Sequence, residues 1–272
     1  MALFSTSATA VTTAPHPEVH AYRLVSAGGT DRGKRRSNNQ DRYGIFPDLG
    51  LFIVADGMGG RAAGDTAARM TVEETCKALV AAAATQPSAS LPALVAAIQH
   101  ANHCVHDLAQ GTAALRGMGS TIAAVLACGH HAVLAHVGDS RIYRLRGDRL
   151  ALLTEDHSLF NDWVRAGLAN PYEPESFPHH NVITRAVGAE PKVDVEARVV
   201  EVAPGDTFLL CSDGLSSVVD GRDMAKILLG TDDLESAVEW LIHRANELGG
   251  PDNITAVTIR WEPPSAAPCT HA

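Results

Sequence analysis

Five short acidic segments hold most of the reactive chemistry in this chain: Asn39-Gln40-Asp41, Ala55-Asp56-Gly57-Met58-Gly59-Gly60, Val137-Gly138-Asp139-Ser140-Arg141, Ser212-Asp213-Gly214 and Asp252-Asn253. Each follows or borders a short apolar stretch. Apolar strands deliver whatever follows them to one rim of a sheet, so aspartates far apart in the chain can meet there, with glycines admitting close backbone approach. Gathered carboxylates repel one another, and bound cations make the gathering favourable. An all-oxygen aspartate set suits hard divalent ions such as Mg²⁺ or Mn²⁺, and such ions serve phosphoryl chemistry. Taken singly, each segment also reads as a solvated turn, because Asp-Gly and Asx turns are common. Their recurrence beside apolar strands is what solvated turns do not require.

Other residues narrow the chemistry. Arg36, in Lys34-Arg35-Arg36, offers a planar fork of donors that suits either a phosphate beside such ions or plain solvation in a basic loop. Ser140 and Ser212 stand next to aspartates, but no Gly-x-Ser-x-Gly elbow accompanies them, and the glycine run over 57–64 lacks the Lys-Ser/Thr of a nucleotide loop. None of the 13 histidines forms a His-Glu-x-x-His pair; His157, in Glu155-Asp156-His157-Ser158, is the one placed to matter. The five cysteines lie far apart without a Cys-x-x-Cys pair, so their spacing signals neither a disulfide frame nor a zinc site and fits a reducing compartment.

The elements that must position these residues follow from periodicity. Residues 22–27, 42–46 and 51–55 read as strands, the last two forming a hairpin through Pro47-Asp48-Leu49-Gly50 that delivers Asp56. Alanine-rich stretches over 62–84 and 91–108, apolar at three and four spacing and separated by Pro87, read as two amphipathic helices covering a sheet. Strands over 121–128, 132–137, 141–146 and 149–153 read as one antiparallel meander, with Gly129-His130 and Gly147-Asp148 as turns. A short helix over 160–166 precedes an aperiodic region with Pro171, Pro174 and Pro178, read as an irregular flap. Strands over 193–202 and 207–211, helices near 222–229 and 233–248, and a last strand over 254–261 complete the pattern.

At 272 residues with 46% hydrophobic content the chain can build a sizeable core, and no linker divides the middle. We expect one domain over 21–261 between frayed tails at 1–20 and 262–272. A formal charge of −9 argues against nucleic acid or an anionic membrane as partner. No apolar run reaches the length of a membrane span, and a cytoplasmic monomer is expected.

Taken in order, Asp31-Arg32-Gly33 with Arg36, Asn39-Gln40-Asp41, Asp-Gly-Met-Gly-Gly at 56–60, Gly119-Ser120-Thr121, Val-Gly-Asp-Ser-Arg at 137–141, Glu-Asp-His-Ser at 155–158, Thr184-Arg185-Ala186, Ser-Asp-Gly-Leu at 212–215 and Asp252-Asn253-Ile254-Thr255 resemble the PPM or type 2C metal-dependent serine/threonine phosphatases in their bacterial single-domain form. The resemblance implies a four-layer α-β-β-α sandwich, two central antiparallel sheets flanked by helix pairs. It implies a centre of two Mn²⁺ or Mg²⁺ ions, with Asp56 bridging both, the Gly57 carbonyl and Asp41 beside them, Asp213 and Asp252 on one ion, Asp139 on a third, weaker ion, and Arg36 on the phosphate. It further implies hydrolysis of phosphoserine and phosphothreonine on proteins by a metal-bridged water, reversing a serine/threonine kinase. Gln40 and Met58 depart from residues common among relatives, a glutamate and a histidine. They imply a weaker neighbouring ion and leave leaving-group protonation to metal-bound water.

Overall fold

The computed structural model describes residues 22–60, 63–85, 90–170 and 182–263. The expected tails, apart from Glu262 and Pro263, and the prolines of the expected flap lie outside the described residues. In chain order the elements are β1 (Arg23–Asp31), β2 (Asp41–Phe46), β3 (Leu51–Met58), α1 (Ala63–Thr85), α2 (Leu91–Gly111), β4 (Gly119–Ser120), β5 (Ile122–Cys128), β6 (His131–Val137), β7 (Arg141–Arg146), β8 (Arg149–Leu152), α3 (Leu159–Arg165), β9 (Glu196–Glu201), β10 (Thr207–Cys211), α4 (Asp213–Ser216), α5 (Gly221–Gly230), α6 (Leu234–Glu247) and β11 (Ile254–Glu262).

Leu51-Phe52-Ile53-Val54-Ala55 is apolar at every position because β3 is covered on both faces. Leu51, Ile53 and Ala55 pack with α1 and α2, whereas Phe52 and Val54 face the other sheet, against Phe208, Val257 and Trp261. Side-chain direction alternates along a strand, so one uninterrupted run feeds two separate cores. Burying a side chain of the size of Phe52 or Phe208 contributes roughly 1.5–3 kcal/mol. A third core lies under α5 and α6, where Leu209, Met224, Leu228 and Leu241 meet.

Two antiparallel sheets result, one ordered β1-β11-β10-β7-β8 and the other β2-β3-β5-β6-β9 with β4 added to β3. With α1 and α2 outside one and α5 and α6 outside the other, the layers run α-β-β-α. Caps fix four helix starts: the Ser90 hydroxyl accepts from Ala93 N, the Ser158 hydroxyl from Asn161 N, Asp220 from Arg222 N and Asp223 N, and Asp233 from Ser236 N.

The expected single meander is corrected here. β5 pairs with β6 and β7 with β8, but β6 pairs with β9 and β7 with β10, so the chain changes sheets at Gly138-Asp139-Ser140. Gly138, at φ +98, makes that crossing. The strand expected over 193–202 begins only at Glu196, and β11 runs through Glu262, which pairs with Arg23.

Candidate metal centre

The aspartates converge where one end of each sheet faces the other. Asp41 opens β2 and lies directly opposite Asp56 in the β2–β3 ladder. Asp213 follows β10 at the start of α4, Asp252 stands just ahead of β11, and Asp139 occupies the crossing between sheets. Asp56 is the hub: its carboxyl feels the charges of Asp41 and Asp213 most, and those of Asp139 and Asp252 as well. The aspartates meet pairwise about Asp56; among the described residues they do not form a trio with every donor atom within 4.8 Å.

The electrostatics follow from burial and like charge. Desolvation, then the charges of Asp41 and Asp213, hold the Asp56 carboxyl well above the usual carboxylate range. Burial pushes Asp41 up to about 6, against the opposing hydrogen bonds from Ser212 and Thr255. Asp139 is pushed up to about 7 by burial and by Asp213 and Asp156. Asp213 is raised by burial and by Asp252, with Arg36 opposing. Asp41 Oδ1 and Asp213 Oδ1 are buried with no hydrogen-bond partner among the described residues. Buried carboxylate oxygens are ordinarily satisfied, and two orphaned acceptors in an all-oxygen pocket suit hard cations.

Neighbouring side chains hold this arrangement. Asp41 Oδ2 accepts from Ser212 Oγ and Thr255 Oγ1, each at 2.7 Å, which ties β2 of one sheet to the ends of β10 and β11 in the other. The backbone N–H of Asp56 donates to Thr121 Oγ1, which lies 2.7 Å from Ser140 Oγ, so one hydrogen-bond chain links Asp56 to the loop of Asp139. Asn253 is a clamp: its Oδ1 accepts from Gln40 N, and its Nδ2 donates to the carbonyls of Arg32 and Asn38. A Cβ on Gly57 would lie 1.9 Å from the Gly64 carbonyl oxygen, so only glycine lets the start of α1 approach β3. Gly214 is equally confined, with the Asn253 carbonyl 1.9 Å from a Cβ.

Arg36 is exposed and donates from Nη2 to Asp252 Oδ2 at 2.5 Å, the guanidinium pKa raised chiefly by that hydrogen bond. It stands at the rim of the pocket. Gln40 uses its amide differently from the expected weak ligand: Nε2 donates to the carbonyls of Gly59 and Gly60, pinning the glycine loop. Ser140 and Ser212 are buried and hydrogen-bonded, which agrees with their exclusion as nucleophiles.

His157 braces the Asp139 loop. Its Nδ1 accepts from Gly138 N at 3.1 Å, and its backbone N–H donates to the Gly138 carbonyl. Its own carbonyl accepts from Thr184 N. Burial pushes this imidazole down to about 4, with stacked His136 and Arg185 adding to the shift. Arg141 grips Asp156 with a bidentate fork, Nε to Oδ1 at 2.9 Å and Nη2 to Oδ2 at 2.6 Å.

Sequence reasoning missed the supporting roles of Thr121, Ser212, Asn253 and Thr255. Their only signal was adjacency to the acidic segments. Hydroxyl and amide residues beside an aspartate are equally common in turns.

The protein phosphatase 2C family model matches residues 28–246. The serine/threonine phosphatase stp of Listeria innocua is 38% identical over 239 residues, covering 85% of this chain and 93% of that relative. The solved serine/threonine phosphatase PstP/Ppp of Mycobacterium tuberculosis superposes with a TM-score of 0.78 at 34% identity, covering 88% of this chain and 99% of its own. A structure of the PstP catalytic domain in complex with two manganese ions superposes at 0.77 with 33% identity, covering 88% of this chain and 98% of its own. This chain belongs to the protein phosphatase 2C family and is a protein-serine/threonine phosphatase.

Proposed function

We propose that Asp41, Asp56, Asp213 and Asp252, with the Gly57 carbonyl, hold two divalent cations, Mn²⁺ or Mg²⁺, that Asp139 serves a third and weaker position, and that Arg36 takes the substrate phosphate. The observation that carries this reading is the hub at Asp56: three desolvated carboxyls, Asp41, Asp56 and Asp213, whose charges oppose one another, two of them with orphaned oxygens, and Asp252 beside them. Two divalent cations would balance four carboxylates. The two manganese ions of the PstP structure support the same stoichiometry.

When bound, the cations supply a water of lowered pKa as nucleophile and neutralise charge developing on the phosphoryl oxygens. The chain's own part is placement. Ser212 and Thr255 leave Asp41 one free oxygen to turn inward. Asp252 keeps Arg36 at the rim, where its donor fork matches the geometry of a phosphate monoester dianion. The low-dielectric surroundings of Asp41 and Asp56 strengthen each of these interactions relative to water.

The substrates in this reading are proteins phosphorylated by a partner serine/threonine kinase, met by a monomer in the cytoplasm. No helix among the described residues is long and apolar enough to cross a membrane. Segment 156–185, of which residues 171–181 lie outside the described ones, is in this reading the part of the chain that selects among phosphoproteins. Its described ends support this, because the bridge of Ser158 to Ile183 and the hydrogen bond from Thr184 N to the His157 carbonyl root it beside Asp139.

The test uses p-nitrophenyl phosphate and a phosphothreonine peptide, with Mn²⁺ or with chelator, on the parent and on Asp56→Asn. Turnover of both substrates that needs Mn²⁺ and disappears in the variant is expected. Absence of turnover with every divalent ion, in a protein that remains folded, refutes the catalytic reading in favour of a phosphoprotein-binding module.

A further inference from the structure

A second group of metal-ligating side chains lies on the outer helix pair, separate from the aspartates. His100 and Cys104 are one turn apart on α2, and Glu74 of α1 faces them; one donor atom from each lies within 4.8 Å of the other two. His100 Nε2 is 3.5 Å from Cys104 Sγ and 3.8 Å from Glu74 Oε2. In a tetrahedral zinc site with Zn–S of about 2.3 Å and Zn–N of about 2.05 Å, the sulfur–nitrogen edge is about 3.5 Å, and a nitrogen–oxygen edge is about 3.4 Å. The sulfur–nitrogen edge is therefore already formed, the nitrogen–oxygen edge needs a few tenths of an ångström, and the carboxylate oxygen lies within 4.8 Å of the sulfur.

We propose that Glu74, His100 and Cys104 form a three-ligand site for Zn²⁺ or a similar thiophilic ion, clasping α1 to α2, with water as fourth ligand. The donors sort the ions. A thiolate and an imidazole select zinc over Mg²⁺ and Mn²⁺, which favour the all-oxygen aspartate pocket. Lys77 Nζ holds Glu74 Oε1 at 2.8 Å and leaves Oε2 to bind through one oxygen. His100 is exposed and Glu74 and Cys104 are partly buried, so the ion has a direct path from solvent. Burial, then the charges of Glu74 and Asp107, keep Cys104 a thiol in the free protein. Binding one ion therefore releases one thiol proton. Glu74 lies ten residues beyond Gly64 on α1, about 15 Å along the helix, which sets the clasp apart from the aspartate pocket.

The other such trio among the described residues, His136, His157 and Glu196, is committed elsewhere. His136 Nε2 donates to the Glu155 carbonyl, His157 Nδ1 accepts from Gly138 N, and the Arg185 guanidinium stands 3.3 Å from His157 Nε2. A cation at the coordinating nitrogen disfavours a second one.

Spacing in sequence signals no zinc site because the third ligand comes from a neighbouring helix. The proposal is independent of the phosphatase reading, and Co²⁺ as probe reads it without activity. A thiolate bound to Co²⁺ gives a near-ultraviolet charge-transfer band, which the aspartate pocket cannot produce. We expect the band in the parent and in Asp56→Asn, its loss in Cys104→Ala, its weakening in His100→Ala, and its displacement by Zn²⁺ but not by Mg²⁺. Circular dichroism checks that the variants fold. No band in the parent, or a band of parental strength in Cys104→Ala, overturns the proposal.

Discussion

Asp56 is the residue whose charge the fold tolerates least, because burial and the facing charges of Asp41 and Asp213 hold its carboxyl well above the usual range, and the proposed centre places it against both ions. Asp56→Asn therefore has two effects of opposite sign. With Mn²⁺ present, kcat/KM falls by at least about 10³-fold, the scale of losing a principal electrostatic element of a site. With chelator present, the variant melts a few degrees above the parent, because a neutral amide removes repulsion at the hub; about 1 kcal/mol corresponds to roughly 2–4 °C at this size. A calorimetric scan in EDTA checks the second effect, and an unchanged or lower melting temperature contradicts the electrostatic account. Thr255→Val takes away one of two hydroxyls on Asp41 Oδ2 while keeping shape, and weakens Mn²⁺ binding about 10- to 100-fold by isothermal titration. Such dependence explains what was legible at this scale. The aspartates stood out because the same acidic signal recurs beside several apolar strands, which solvated turns do not require. Ser212 and Thr255 did not, because their roles depend on two sheets meeting, and neither side of that meeting is local in sequence.

Between elements, Asn253 fastens the loop from Arg32 to Gln40 to the start of β11 through three hydrogen bonds. That loop carries Arg36. Asn253→Ala frees the loop and leaves the Gln40 N–H without its acceptor, costing about 1–3 kcal/mol of stability. A raised KM for the phosphothreonine peptide, larger than the change in kcat, is expected from steady-state kinetics, because Arg36, the proposed phosphate ligand, loses its position. A change confined to kcat would disconnect the loop from phosphate binding. Strands such as β3, β10 and β11 were legible as elements because each is apolar on both faces. The switch of sheet at Gly138-Asp139-Ser140 was not. A hairpin and a crossing look alike when a glycine and an aspartate join two apolar strands, and only the pairing of β6 with β9 and β7 with β10 tells them apart. Residues 193–195 illustrate the converse, since Val193 and Val195 pack on the core of α1 and α2 as loop residues while reading as strand.

For the whole molecule, stability without metal is tied to pH through the same carboxyls. Asp41 at about 6 and Asp139 at about 7 compare with an ordinary 3.8, so between pH 4 and 7 the folded protein keeps protons that the unfolded chain has released. Stability rises with pH only where the unfolded state binds more protons, and here it binds fewer. These two groups therefore erode the stability of the metal-free protein as pH rises through that window, and the loss is complete above about pH 7. His157, pushed down to about 4 from 6.5, works in the opposite sense, because between those values the unfolded chain takes up the proton. Its contribution is the same with and without metal as long as the ion leaves the imidazole untouched. Subtracting the melting temperature in chelator from that in Mn²⁺ cancels His157 and leaves the carboxyls. Protons compete with Mn²⁺ for the same oxygens at low pH, and like-charge repulsion awaits relief at neutral pH. The Mn²⁺-induced gain should accordingly be small near about pH 4.5, grow steeply towards about pH 7 and level off beyond it. A gain independent of pH would mean that the ions bind away from Asp41, Asp56 and Asp139, and the centre built around them would have to be abandoned.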